Sequence, residues 1–208
     1  MDEIANRTSD VPGATASGAL DDPSRRPLRR VVPLRGLPAV AAVLVLLVVA
    51  LVGNWLWALD FAHVTGGALW TSIDLFVGLI IGPILGRLSV PARIEFSKRF
   101  MPAMLLIMPT LVTVTLSAGV QLARHLGDFT AATTHPWIVA ALVVIAVMGV
   151  IALGILEPAN LAVLFELRKP RPNGELIGRL MRRFISTAGI IGVLQVATLV
   201  IMTRLATL

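Results

Sequence analysis

The sequence predicts an all-α fold, an integral membrane five-helix bundle with its N-terminus cytoplasmic and its C-terminus outside. Three observations predict it. The 208 residues are 56% hydrophobic and 14% charged with a mean hydropathy of +0.86, too apolar for a soluble domain of this length. Apolar stretches recur at about 38–59, 64–86, 101–123, 137–156 and 184–204, each close to the ~20 residues that cross a hydrocarbon core as helix. Basic residues gather on alternate sides of these spans. Six lie in the N-terminal tail (Arg7, Arg25, Arg26, Arg29, Arg30, Arg35), four in the 87–100 segment (Arg87, Arg93, Lys98, Arg99) and six in the 157–183 segment (Arg168, Lys169, Arg171, Arg179, Arg182, Arg183). Only Arg124 and Arg204 fall on the other side, and sixteen against two sets the orientation by the positive-inside rule.

Residues 1–37 are rich in Asp, Ser, Pro, Gly and Arg without apolar periodicity, and read as a disordered basic cytoplasmic tail. The block Ser24 to Arg30 precedes the first apolar run, which reads as a signal anchor that stays as the first span. The rest, 38–208, reads as one transmembrane helical domain. In the second span His63, Gly67, Trp70, Asp74, Gly78 and Ile81 share one helical stripe, so its polar and small residues face a bundle interior. Gly78, Gly82 and Gly86 have the spacing that lets another helix approach closely. The third span contains Pro102 and Pro109, which predict a loosened inner half, and a polar stripe of Thr110, Thr113, Ser117, Gln121 and His125. The fourth is almost purely aliphatic and reads as lipid-facing. Beyond it a short amphipathic helix is expected before Pro170, Pro172 and Gly174 break the chain. The fifth span carries Gln195 near mid-depth. All four tryptophans fall in the outer half, as an aromatic belt would.

With the 87–100 segment taken as a loop, Gly86 stands level with Met101 and the polar stripes of spans two and three face each other. His63 is then level with His125, and Asp74 with Thr113. This depth match makes His63 and His125 candidate ligands for a b-type haem or for copper, with His135 a third candidate metal ligand; Asp60 and Asp128 could fix a ring tautomer. The other reading leaves all three as interfacial histidines bonded to backbone or water. Asp74 is a candidate proton-relay or cation-handling carboxyl in a seam with Thr110, Thr113, Ser117, Gln121 and Gln195; the alternative is a structural Asp that bonds to its neighbours.

The residues from His63 to Pro83, HVTGGALWTSIDLFVGLIIGP, begin with His, continue with small Gly residues and a Trp seven later, and end in Gly-Pro. Over about 61–123 the chain resembles the copper-resistance D type of bacterial membrane protein and related small polytopic families suspected of binding b-type haem. The resemblance implies that His63 is the ligand.

The absence of cysteine excludes disulfides, Cys-bound zinc, iron–sulfur clusters and a thiol nucleophile. No phosphate loop, HExxH or Ser-His-Asp order occurs, so hydrolase and nucleotide chemistry have no support. The basic charge reads as topology and anionic-lipid contact, not nucleic-acid binding. Three functions stay open: a haem- or metal-binding component of the bacterial inner membrane for electron transfer or cofactor handling, a cofactor-free transporter using the Asp74 seam, and an accessory subunit of a larger membrane complex. Its partners would be the lipid bilayer and either another membrane protein or a second copy. A reporter fused after Leu208 is expected on the outer side; cytoplasmic labelling there would mean that a span is misread.

Overall fold

The computed structural model describes residues 34–208. Five helices, α1 (Leu34–Gly53), α2 (Leu56–Arg87), α3 (Val90–Leu126), α4 (His135–Leu167) and α5 (Gly174–Leu205), are long and apolar enough to cross a membrane. That is the pattern of a multi-pass membrane protein, and no strand occurs among the described residues. The expected tail up to residue 33, with Arg7, Arg25, Arg26, Arg29 and Arg30, lies outside them. Helices of 32–37 residues run about 48–55 Å, longer than a ~30 Å hydrocarbon core, so α2 to α5 extend past it. One end of the bundle carries the α2–α3 and α4–α5 connections and is called the basic end below; the other carries the α1–α2 and α3–α4 connections.

α1 closes on Asn54, whose left-handed backbone (φ 52) turns the chain into α2. The Asn54 Oδ1 accepts from Gln121 Nε2 of α3 at 2.9 Å, so the α1–α2 turn is fastened to the third helix. A small cluster of Leu47, Ala50, Leu59, Val114 and Ala118 joins the same three helices, while Val45, Leu46 and Val52 are exposed, as on a lipid-facing surface.

Only Leu88 and Ser89 separate α2 from α3, whereas the sequence suggests a loop over 87–100. Pro91 sits in the first turn of α3, where a missing N–H costs nothing. Ile94, Ser97 and Met101 then repeat at helical spacing on the buried face, and Glu95 pairs with exposed Arg99 at 3.1 Å and with the largely covered Lys98 at 3.9 Å. Because helix starts eleven residues before Met101, the α2–α3 register differs from the expected one. α3 is assigned as helix straight through Pro102 and Pro109, so the expected loosening there is not found; Met101, Met104 and Met108 are core residues.

Instead, α2 and α4 each contain one π-helical turn, Val77–Ile81 and Ala152–Leu156. Each ends two residues before a proline, Pro83 and Pro158. A proline ring clashes with the carbonyl four residues back, here Leu79 and Gly154, and a widened turn moves that carbonyl aside without ending the helix. The expected amphipathic helix after the fourth span is thus the continuation of α4 to Leu167. His135, expected in a loop, is the first residue of α4, with Pro136 in the first turn. At the far end of α4, Glu166 accepts from Lys169 Nζ at 2.6 Å and from the Asn173 N–H at 3.0 Å. Asn173 Oδ1 in turn accepts from the N–H groups of Glu175 and Leu176, capping α5.

α2 and α5 touch backbone to backbone. A Cβ built on Gly78 would lie 2.5 Å from Gly189 Cα, and one on Gly192 would lie 2.9 Å from Leu75 Cδ2. The main core, including Trp70, Val77, Met104, Met181, Phe184 and Ile191, surrounds this crossing. Gly78→Ala is expected to cost about 1–3 kcal/mol by overpacking against backbone. Gly149→Ala, on a site with nothing within 4 Å, should be neutral or slightly stabilising. Thermal unfolding of both variants in detergent checks the contrast, and equal unfolding temperatures would refute it.

Candidate functional site

His63 lies two turns into α2 and is half-buried against α3. Its Nδ1 is 2.9 Å from the Thr115 carbonyl oxygen. A carbonyl only accepts, so Nδ1 donates, and it is the Nδ1-protonated tautomer, with its lone pair on Nε2, that this contact selects. The ring rests on Gly119, where a built Cβ would come within 2.5 Å of both Nδ1 and Cε1. One turn further, Gly66 meets Thr115 in the same way, its built Cβ 2.6 Å from Oγ1. Small residues on both helices therefore set the register and leave room for one imidazole. The buried Thr115 Oγ1 has no hydrogen-bond partner among the described residues.

His63 is part of the wall of a cavity of about 370 Å³ at the end of the bundle opposite the basic end. Walls come from α2, α3, α4 and α5, and most are aliphatic, among them Leu116, Ile138, Leu142 and Met202. The charged or titratable groups in the wall are His63, Asp60 and Asp128. An apolar chamber of this volume with few polar groups is the common form of a small-molecule site.

The expected pairing of His63 with His125 is not formed. His125 is exposed, six residues past Gly119 on α3 and so about 9 Å further along the axis, and it is not in the cavity wall. His135 is exposed at the start of α4. No group of three His, Asp or Glu side chains converges as a metal site among the described residues.

Asp74 is buried and bonds to α5, not to α3: Gln195 Nε2 donates to its Oδ2 at 3.2 Å. Trp70, one turn before Asp74, is its second side-chain partner. Trp70 is therefore a core residue, whereas Trp55 and Trp57 are exposed at the membrane-edge turn where an aromatic belt would lie. The Gln195 Oε1 is buried without a partner. The hydroxyls expected to face Asp74 turn to their own helix, Thr110 donating to the Leu106 carbonyl and Thr113 to that of Pro109, both at 2.7 Å. Gln121 serves Asn54, and Ser117 is half-buried. The buried face of α3 is instead Val114, Thr115 and Ala118. The run Ser117-Ala118-Gly119 was the available sign that a bulky group from a neighbouring helix would seat there.

The chain matches no protein-family model, and neither the curated proteins nor the solved structures contain a chain that matches it.

The ¹⁵N shifts of His63 should show a neutral ring protonated at Nδ1, and Gly119→Ala should abolish that preference by displacing the ring from Thr115. A ring protonated at Nε2 in the unaltered protein would mean that the hydrogen bond to Thr115 is absent.

Proposed function

We propose that this protein is a multi-pass protein of the bacterial cytoplasmic membrane, N-terminus inside, whose outer cavity would hold a b-type haem through His63. The observation that carries this reading is the His63 ring, fixed by Thr115 and Gly119 in an apolar wall. Ligating histidines typically donate their other ring N–H to a carbonyl or carboxylate, which fixes the tautomer and raises basicity. The donor set fits a haem: a neutral imidazole with a free Nε2 and aliphatic walls for the macrocycle. Bound haem supplies one-electron redox chemistry. The chain's own part is to hold the imidazole in one tautomer and, through Leu116, Ile138 and Leu142, to keep the ligand nitrogen in an apolar setting. Asp60 and Asp128 are the carboxyl groups of the cavity wall. For copper, the expected partners His125 and His135 stand outside the cavity wall that holds His63, which favours haem as the reading.

A second reading, a cofactor-free transporter, rests on Asp74, a buried carboxyl three residues before a π-helical turn. Such turns often occur at functional sites, and intramembrane carboxyls commonly mark ion or proton paths. A proton or cation flux in proteoliposomes that Asp74→Asn abolishes would favour it.

The deciding experiment is an absorption spectrum of the purified protein, oxidised and dithionite-reduced. A Soret band with sharp reduced α and β bands is expected. His63→Ala should remove it from a protein that still elutes as a folded species, and His125→Ala should leave it in place. Full haem content in His63→Ala would sink the assignment, and equal loss in both variants would restore the two-histidine arrangement.

A further inference from the structure

At the basic end a second cavity, of about 230 Å³, lies between α2, α3 and α5. Gly86, with nothing within 4 Å of a built Cβ, leaves space in its wall, and Arg93, Arg182 and Ser186 supply its polar side chains. No carboxylate is in its wall. Arg93 is held in place: one of its N–H groups donates to the Leu88 carbonyl at 3.2 Å, and its Nη1 crosses the face of Gly178, where a built Cβ would come within 2.6 Å. Among the described residues, the Leu88 carbonyl is the acceptor of its guanidinium. Neither Arg93 nor Arg182 has an ion-pair partner among the described residues, whereas nearby Lys98, Arg99 and Lys169 all do. Two guanidinium groups and a hydroxyl around a small chamber form a phosphate-type anion site.

The surface around the chamber identifies where the phosphate comes from. On α5, Arg182 and Ser186 are exposed, and the same helical stripe continues with Ile190 and Val193, both exposed and apolar. On α2, Leu79 and Ile80 are exposed at the level of the Gly78 crossing. The chamber thus opens sideways onto a hydrocarbon track, with charge at the helix ends and aliphatic side chains deeper in. We infer that this pocket binds the phosphodiester of an anionic phospholipid from the leaflet at the basic end, Arg93 and Arg182 on the phosphate and an acyl chain along Ile190 and Val193. This site is independent of the His63 reading.

Native mass spectrometry of the detergent-purified protein with added phosphatidylglycerol tests it. The unaltered protein should retain the lipid, and Arg93→Gln with Arg182→Gln should weaken retention about tenfold or more. Arg168→Gln with Arg171→Gln, which removes the same charge from the α4–α5 loop, should leave it unchanged. Gly86→Leu fills the chamber, keeps both arginines and should also release the lipid, so a folding failure of the arginine pair does not end the test. Equal retention by all variants, or no retention by the unaltered protein, overturns the inference. Displacement of the lipid by an equal concentration of glycerol 3-phosphate overturns the lipid assignment in favour of a soluble phosphate ester.

Discussion

The backbone contact between Gly78 and Gly189 is the constraint on which the rest of the bundle depends. In a membrane, helices gain little by hiding apolar surface from lipid, and close packing of small residues replaces that driving force. Once α2 and α5 cross there, Asp74 lies one turn from the crossing and meets Gln195 without further adjustment. A polar pair of this kind is worth about 0.6 kcal/mol on average in membrane bundles. It selects the rotation of the two helices more than it stabilises their contact. The glycines determine where the helices touch and the carboxyl–amide pair determines which faces meet.

The five apolar helices and the interior stripe of α2 were legible because they follow from hydropathy and a 3.6-residue period, which belong to single helices; their ends were not, since the first helix stops at Gly53 and the other four begin before their expected starts. Gly78 and Gly82 were legible as a docking surface, though not which helix would dock. Spans two and three are neighbours as expected, and what misled was their register. The basic, proline-containing 87–100 segment looked like a loop, yet Pro91 starts a helix and Ile94, Ser97 and Met101 continue it inward. Moving the helix start moved every depth match, and His63 met Gly119 instead of His125. The polar stripe of α3 was real in the sequence, but the Thr110 and Thr113 hydroxyls are satisfied within their own helix and make no demand on α2. The π-helical turns had a sign in Pro83 and Pro158, but Pro102 and Pro109 carry the same sign and no such turn.

The two ends of the bundle hold opposite chemistry in similar containers. Opposite the basic end, a neutral imidazole and two carboxyls stand in an aliphatic chamber. At the basic end, two guanidinium groups stand over glycines. Both chambers exist because glycine has been placed where a side chain would fill them. In the first the gap at Gly119 is occupied by His63 itself, and in the second the gap at Gly86 stays open. The first therefore presents a fixed donor and the second a space, as ligation and headgroup binding respectively require.

The order of synthesis gives the Asp74 contact a further meaning. Its partner on α5 is 121 residues away in sequence, whereas Trp70 is on the same helix. At about 5–20 residues per second a ribosome takes roughly 6–24 s to travel that far. For that interval α2 resides in the bilayer with a carboxyl whose long-range partner has not yet been made, and the Trp70 indole is the group that can shelter it. The last helix then closes the bundle by completing a contact that the second helix has been holding open.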